Sequence, residues 1–462
     1  MKNKFLLLII LAIMCINIYA TEIATFNQNA EKFKTFNGLK LDDFKVGRVN
    51  DKSKEVYFTN DKFGIGITNG GEFSLNINDK RLTLAGLSGI IAYDAENPTK
   101  LYRFNTKKIT KENFTTECKE LGLSMTTKVV RTEKAIEFEN ELIGDSDRKI
   151  VLAFCLPMDG TTTLLKDNII WVEDFSNAYN TDTEETDTFA YEAPNDKSIS
   201  RYPLGCMLNG FISIAMATSP LSRDSKFVYY KSLKSFANQY ELTIKKDTPV
   251  NLDFLVFRTL YEWGFRGAYE KYTELHPGSF PNKSKIKATE IKELDGTDYY
   301  FKSLLTFDGF KIKGPLELKD IYFLKCAAKN KPVYYEIPNE NFDKEYAKAV
   351  FFGFIPVTDN ISKPIVNNLK ETFNIIQQSA WQVIPQSESK NYTVITERYK
   401  DKDSTYVVAY NITDIRRVTF VILYEYNGEN KITNIVDKSE YNIKNKSIDI
   451  IINPYNLAMF KY

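Results

Sequence analysis

From Phe63 onward the sequence is built from short apolar runs of period two, and runs of that kind bury a face only as strands of a sheet. Phe63, Ile65 and Ile67 alternate with small residues, and Asn69-Gly70-Gly71 marks a turn. Phe73, Leu75 and Ile77 alternate again, and Asn78-Asp79-Lys80 leads to Leu82 and Leu84. That is a meander with one buried face. Further alternating or continuous apolar runs follow at 136–141, 150–156, 169–172, 211–217, 240–244 and 252–257. So many antiparallel strands in about 240 residues imply two large stacked sheets.

The period changes after Gly264. Phe265, Ala268, Tyr269, Tyr272 and Leu275 recur at helical spacing until His276-Pro277-Gly278 ends the turn. Residues 316–328, 342–352 and 365–381 also read as helices, the last with Ile365, Leu369, Phe373 and Ile376 on one stripe. After Pro385 the β rhythm returns at 392–397, 406–412, 418–424 and 448–452, as a compact sandwich. The expected class is mainly β with a helical insert.

The first twenty residues carry the marks of an export signal. Lys2 and Lys4 precede an apolar run from Phe5 to Met14 that continues to Ile18 past Asn17, and polar sequence begins after Tyr19-Ala20. The run is about 14 residues, short of the ~20 that span a bilayer core, so cleavage near Ala20 is expected rather than anchoring. The mature chain is then extracytoplasmic, periplasmic or secreted, with no transmembrane segment. Cys15 lies behind Leu11-Ala12-Ile13-Met14, but Met14 stands where a lipoprotein signal needs a small residue.

Loss of Lys2 and Lys4 takes the net charge from +1 to −1, with 61 basic and 60 acidic residues mixed along the chain. Nucleic acid as a partner is excluded by that balance, because it demands a concentrated basic patch. Cys118, Cys155, Cys206 and Cys326 stand far apart with no CxxC pair, which rules out a zinc cluster of usual spacing. Apolar neighbours make buried free thiols at least as reasonable as bridges.

Familiar catalytic constellations fail on the text. The glycines at 64, 66, 70 and 71 lack dinucleotide-loop spacing, and neither a P-loop nor GxSxG is present. His276 is the chain's single histidine and reads as a helix-end packing residue, so a triad or a multi-histidine metal site has no support. No cofactor is expected. Asp182, Glu184 and Asp187, with Glu185, form an oxygen-rich stretch that is a calcium candidate, although the EF-hand spacing fails and a solvated acidic loop is the simpler reading. Of the three tryptophans, Trp263 and Trp381 sit in apolar text and read as packing. Trp171, beside Glu173 and Asp174, is the candidate sugar-stacking platform.

Two segments taken together resemble a known architecture. Arg201-Tyr202-Pro203, then Trp263-Gly264-Phe265-Arg266 with Tyr269, Tyr272, Pro277 and Phe280, are similar to the junction in large bacterial glycoside hydrolases between a galactose-mutarotase-like β-supersandwich and a TIM barrel. Downstream, Phe352-Gly353-Phe354-Ile355-Pro356, Trp381-Gln382-Val383-Ile384-Pro385, Glu397-Arg398-Tyr399 and Tyr410-Asn411 resemble the barrel's exit and the C-terminal β-sandwich of those proteins. After the signal at 1–20, the resemblance implies a supersandwich at 21–280, a reduced α/β region at 281–381 and a sandwich at 382–462.

A (β/α)8 barrel takes ~250 residues, and about 65 separate Phe280 from the helix at 342–352. Residues 307–335 read as one surviving strand-helix-strand unit. Hydrolysis of a glycoside needs two carboxyl groups ~5–9.5 Å apart. The carboxylates at the ends of the remaining strands are Asp308 and Glu336, the candidate catalytic residues, each with a bland alternative as a turn former or a solvent carboxylate. The first expectation is an exported, non-catalytic relative that binds carbohydrate or an envelope partner. The alternatives are an active hydrolase with a divergent carboxylate pair and a structural envelope or adhesion protein.

Overall fold

The computed structural model describes residues 47–48, 53–77, 80–82, 86–96, 98, 100–158, 170–172, 178–180, 192–193, 195–208, 213–230, 233–282, 290–296 and 299–462. The export signal and the acidic stretch with Asp182, Glu184 and Asp187 lie outside the described residues. The chain is mainly β, as its periodicity requires. It divides into two compact units. One runs to His276 and takes in Tyr299–Lys302; the other holds Pro277–Asp298 and Ser303–Tyr462.

In the N-terminal unit a nine-stranded antiparallel sheet has Val250–Arg258 and Ala135–Gly144 at its centre, followed outward by Leu123–Arg131 and Asn113–Cys118. A five-stranded sheet is centred on Arg148–Pro157, between Ser235–Ile244 and Gly89–Asp94. Leu123–Arg131 alternates, with Leu123, Met125, Thr127 and Val129 buried and the polar Ser124, Thr126 and Lys128 exposed between them. Arg148–Pro157 is instead buried on both faces from Ile150 onward, which is why it reads as a continuous apolar run.

Aromatic rings join the layers. Phe254 stacks on Phe138 of the neighbouring strand at 4.5 Å and on Phe154 of the five-stranded sheet at 4.3 Å. Phe73, from a third sheet that includes Phe63–Thr68 and Phe73–Ile77, closes on both Phe138 and Phe254. One continuous core results. The small residues of Phe63–Thr68 are required by close packing: a Cβ on Gly64 would meet the Phe58 ring at 2.6 Å, and one on Gly66 the Ser74 hydroxyl at 2.5 Å. At the following turn Gly71 has φ +77°, and a Cβ there would lie 1.9 Å from the Phe104 carbonyl.

Helix α1, Gly264–Leu275, buries Phe265, Ala268, Tyr269 and Tyr272 on the stripe that the sequence spacing marks. Tyr202 meets Phe265 at 5.1 Å and Phe301 at 5.7 Å, so the first block of family-like residues is an aromatic packing cluster. Lys302, beside Phe301 on helix α2 (Phe301–Leu304), donates to the carbonyls of Ser222 and Arg223 at 3.0 and 2.8 Å.

His276 is the C-cap of α1, and its ring packs edge-on against Tyr272 at 4.7 Å. Its Nε2 is buried without a hydrogen-bond partner. Burial, helped by the Lys302 ammonium, pulls the imidazole from 6.5 to about 4. Between those values the unfolded chain binds more protons than the folded one, so stability falls as pH drops from 6.5 towards 4, by roughly 2 kcal/mol after discounting for partial exposure. Because the chain has one histidine, its proton NMR titration is uncrowded. The expected midpoint is about 4; a midpoint near 6.5 would contradict the burial.

The four cysteines among the described residues are buried and form no disulfide with one another. Burial pushes the Cys155 thiol up to about 12 and also raises that of Cys206, which makes both inert. Among the described residues, no helix is long and apolar enough to cross a membrane.

In the second unit a four-stranded parallel sheet runs in the order Ile291–Leu294, Gly309–Lys313, Val333–Glu336, Ile355–Val357. Helices α3 (Leu318–Ala328), α4 (Phe342–Phe352) and α5 (Pro364–Gln378) follow the chain between and after these strands. The C-terminal sandwich pairs a sheet containing Val394–Lys400 and Thr405–Asn411 with one containing Arg417–Leu423 and Ser447–Ile452 around a shared apolar core.

Candidate functional site

Parallel strands joined by helices present ligands at their carboxyl ends. Here Phe310, Ile312, Val333 and Tyr335 are buried, and the Tyr335 hydroxyl bonds to Glu345 of α4. The alternate residues Glu293, Lys311, Tyr334 and Glu336 occupy the other face. There Lys311 Nζ lies 2.7 Å from Glu336 and 3.4 Å from Glu293, a cross-strand ion triad. The Lys311 hydrogen bond holds the Glu336 carboxyl below its usual range. A general acid needs the opposite shift.

Asp308 is at the other end of the strands. Its carboxylate accepts from the backbone N–H of Glu290 at 3.1 Å, just before the strand Gly309–Lys313 begins. Since Lys313 is the register partner of Glu336, Asp308 sits five residues below it, or roughly 16 Å along the strand at the usual rise. The structure therefore does not bring Asp308 and Glu336 together, and their separation exceeds the ~5–9.5 Å of a glycosidase pair. Trp171 lies in Ile170–Val172, paired with Met207 and Tyr179; its side chain is outside the described residues.

A second group of acids lies on the polar face of the nine-stranded sheet. Glu139 is the register partner of Asp253, and Glu137 is the next residue on the same face. Burial, reinforced by neighbouring carboxylates, raises both Glu137 and Asp253. Asp253 also accepts from the Ser219 backbone N–H, while Glu139 is paired with Lys128 at 2.8 Å. Sequence reading missed this group because cross-strand register is invisible before the sheet is known. The alternation Glu137-Phe138-Glu139 was its one local trace.

Downstream family-like motifs converge on a buried knot. Glu397 is fully buried and accepts from Tyr322 Oη at 2.8 Å and Trp381 Nε1 at 2.7 Å. Lys325 Nζ lies 4.6 Å over the Trp381 ring, bonds to Tyr399 Oη at 3.2 Å and reaches the Phe352 carbonyl. Gly353, at φ +70°, ends α4 and leaves its Cβ position 3.3 Å from the Tyr399 ring. Asn411 is fully buried, and its side chain bonds to Thr413, Ile415, Ile452 and Asn453. Trp381 is thus a packing residue, as the sequence indicated. Among the described residues, no group of three metal-ligating side chains could hold a metal ion.

The sheets, the helical insert and the sandwich give a glycoside-hydrolase-like, β-rich fold. It is similar to two solved structures in particular. The galactosidase domain of the α-galactosidase-sucrose kinase AgaSK matches with a TM-score of 0.52 and 5% identity, over 88% of this chain and 98% of that one. The GH36 α-galactosidase AgaB from Geobacillus stearothermophilus matches with a TM-score of 0.50 and 6% identity, over 90% and 99%. Neither a family model nor a curated protein matches the sequence. At such identities the likeness is one of fold alone.

Proposed function

We propose that this is an exported glycoside-hydrolase-like protein that binds carbohydrate, or a carbohydrate-bearing envelope component, without cleaving it. The observation that carries the reading is the state of the strand-end carboxylates. Glu336 is held ionised by Lys311, and Asp308 is at the opposite end of the neighbouring strand, so this end of the sheet lacks the protonated acid and facing partner that hydrolysis needs. Export is supported by the Lys2–Ala20 segment and carbohydrate by the kinship of fold.

A second reading, an active hydrolase, is favoured by one observation: Glu137 and Asp253 share a sheet face and both have raised carboxyl values. Assays of aryl α- and β-glycosides and of polysaccharides distinguish the two. The expected result is no turnover above the buffer rate for the wild-type chain. Turnover abolished by Glu137→Gln or Asp253→Asn would establish the second reading, and turnover abolished by Asp308→Asn or Glu336→Gln would restore the strand-end pair.

A further inference from the structure

Beside α5 the C-terminal sandwich has an open groove of about 850 Å³, within the size range of small-molecule sites. We propose that this groove is a binding site for a short, uncharged oligosaccharide. The assignment rests on the carbohydrate-binding reading above and adds to it a place and a ligand class.

Aromatic and aliphatic side chains form part of its lining: Tyr406, Tyr426 and Tyr462, with Ile375, Ile432 and Ile435. Tyr426 and Tyr462 meet edge to face at 5.6 Å. Tyr406, Tyr426 and Ile432 are buried and back the groove, while Tyr462, Ile375 and Ile435 are half-buried and offer the surface on which the C–H face of a sugar ring packs. The polar lining is of mixed sign, with Glu371 and Glu425 opposed by Lys431 and Lys461 and supplemented by Asn427 and Thr433. A lining of one sign would select an ion. Acceptors and donors in near balance suit a ligand whose hydroxyls both give and take hydrogen bonds.

The groove is also preorganised. Tyr426 is buried, and its hydroxyl donates to the Glu429 carbonyl at 2.7 Å, so the loop from Tyr426 to Lys431 wraps its own phenol. Gly428 permits this, because a Cβ there would meet the Tyr426 hydroxyl at 2.7 Å. Glu425 holds Arg398 with one oxygen at 2.5 Å, and its side chain is 48% exposed. Nearby, the Tyr462 hydroxyl and Arg398 Nε are buried without hydrogen-bond partners, and burial raises the phenol to about 12.

Isothermal titration of the full chain with raffinose, maltopentaose, cellopentaose and xylopentaose at millimolar concentration tests the site. We expect saturable binding of at least one. Thr433→Arg, an exposed change that fills the groove, and Glu425→Gln should each weaken it tenfold or more, and Glu340→Gln, an exposed change outside the lining, should leave it within twofold. Thr433→Arg should melt at the wild-type temperature, which separates blockage from unfolding. Binding that survives both groove substitutions overturns the groove while leaving the carbohydrate reading intact. No binding of any of the four overturns both.

Discussion

Phe254→Ala will destabilise the N-terminal unit by about 3–5 kcal/mol. Phe254 is 1% exposed and touches aromatic rings from three sheets: Phe138 on its neighbour strand, Phe154 across the layer and Phe73. Truncation removes the transfer energy of the ring and leaves a cavity. The stiff strands around it cannot collapse, because Ala135–Gly144 and Val250–Arg258 are held in register over eight residue pairs. Loss of two stacked contacts adds to the burial cost, at ~0.5–1.5 kcal/mol each. Phe254→Leu keeps most of the volume and should cost about half as much. Urea unfolding followed by circular dichroism measures both; a loss below about 1 kcal/mol for the alanine variant would mean that the layers are not joined through this ring.

Glu397→Ala should be nearly as damaging in the C-terminal unit, at about 3–5 kcal/mol. Its carboxylate accepts from both the Trp381 indole and the Tyr322 hydroxyl with no water access. Removal leaves two buried donors unsatisfied, each at ~1–3 kcal/mol, and opens space beside Trp381. Glu397→Gln retains an acceptor for one of them and should cost about 1–3 kcal/mol. The ordering, alanine worse than glutamine, is the diagnostic. Equal and small losses would show that the knot holds these elements through packing alone.

This knot also explains what was legible in the sequence. Residues near Phe352, Trp381, Glu397 and Tyr410 stood out as family-like although no chemistry could be given to them, and the structure assigns them to one buried junction. Strands were readable where one face is buried, as in Leu123–Arg131, and where both are, as in Arg148–Pro157. The helix expected over 342–352 is α4 itself. The helix expected over 365–381 stops at Gln378, because Ala380–Gln382 pairs as a strand with Arg398–Lys400 and so delivers the Trp381 indole to Glu397.

The site was far less legible. Asp308 and Glu336 are close in sequence to the ends of their strands, but a parallel register places them at opposite ends of two neighbouring strands. Lys311 lies between two acids, and that follows only from which strand neighbours which. The groove draws its lining from α5 and from strands and turns spread between Glu371 and Tyr462, so no local pattern announced it.

The most direct test is a crystal structure of the chain soaked with whichever oligosaccharide binds in solution. The account predicts an intact sugar in the groove between α5 and the Tyr426 turn, with no density against Glu336 or the Glu137–Asp253 face. A sugar seated on either carboxylate group, or found cleaved, would contradict it.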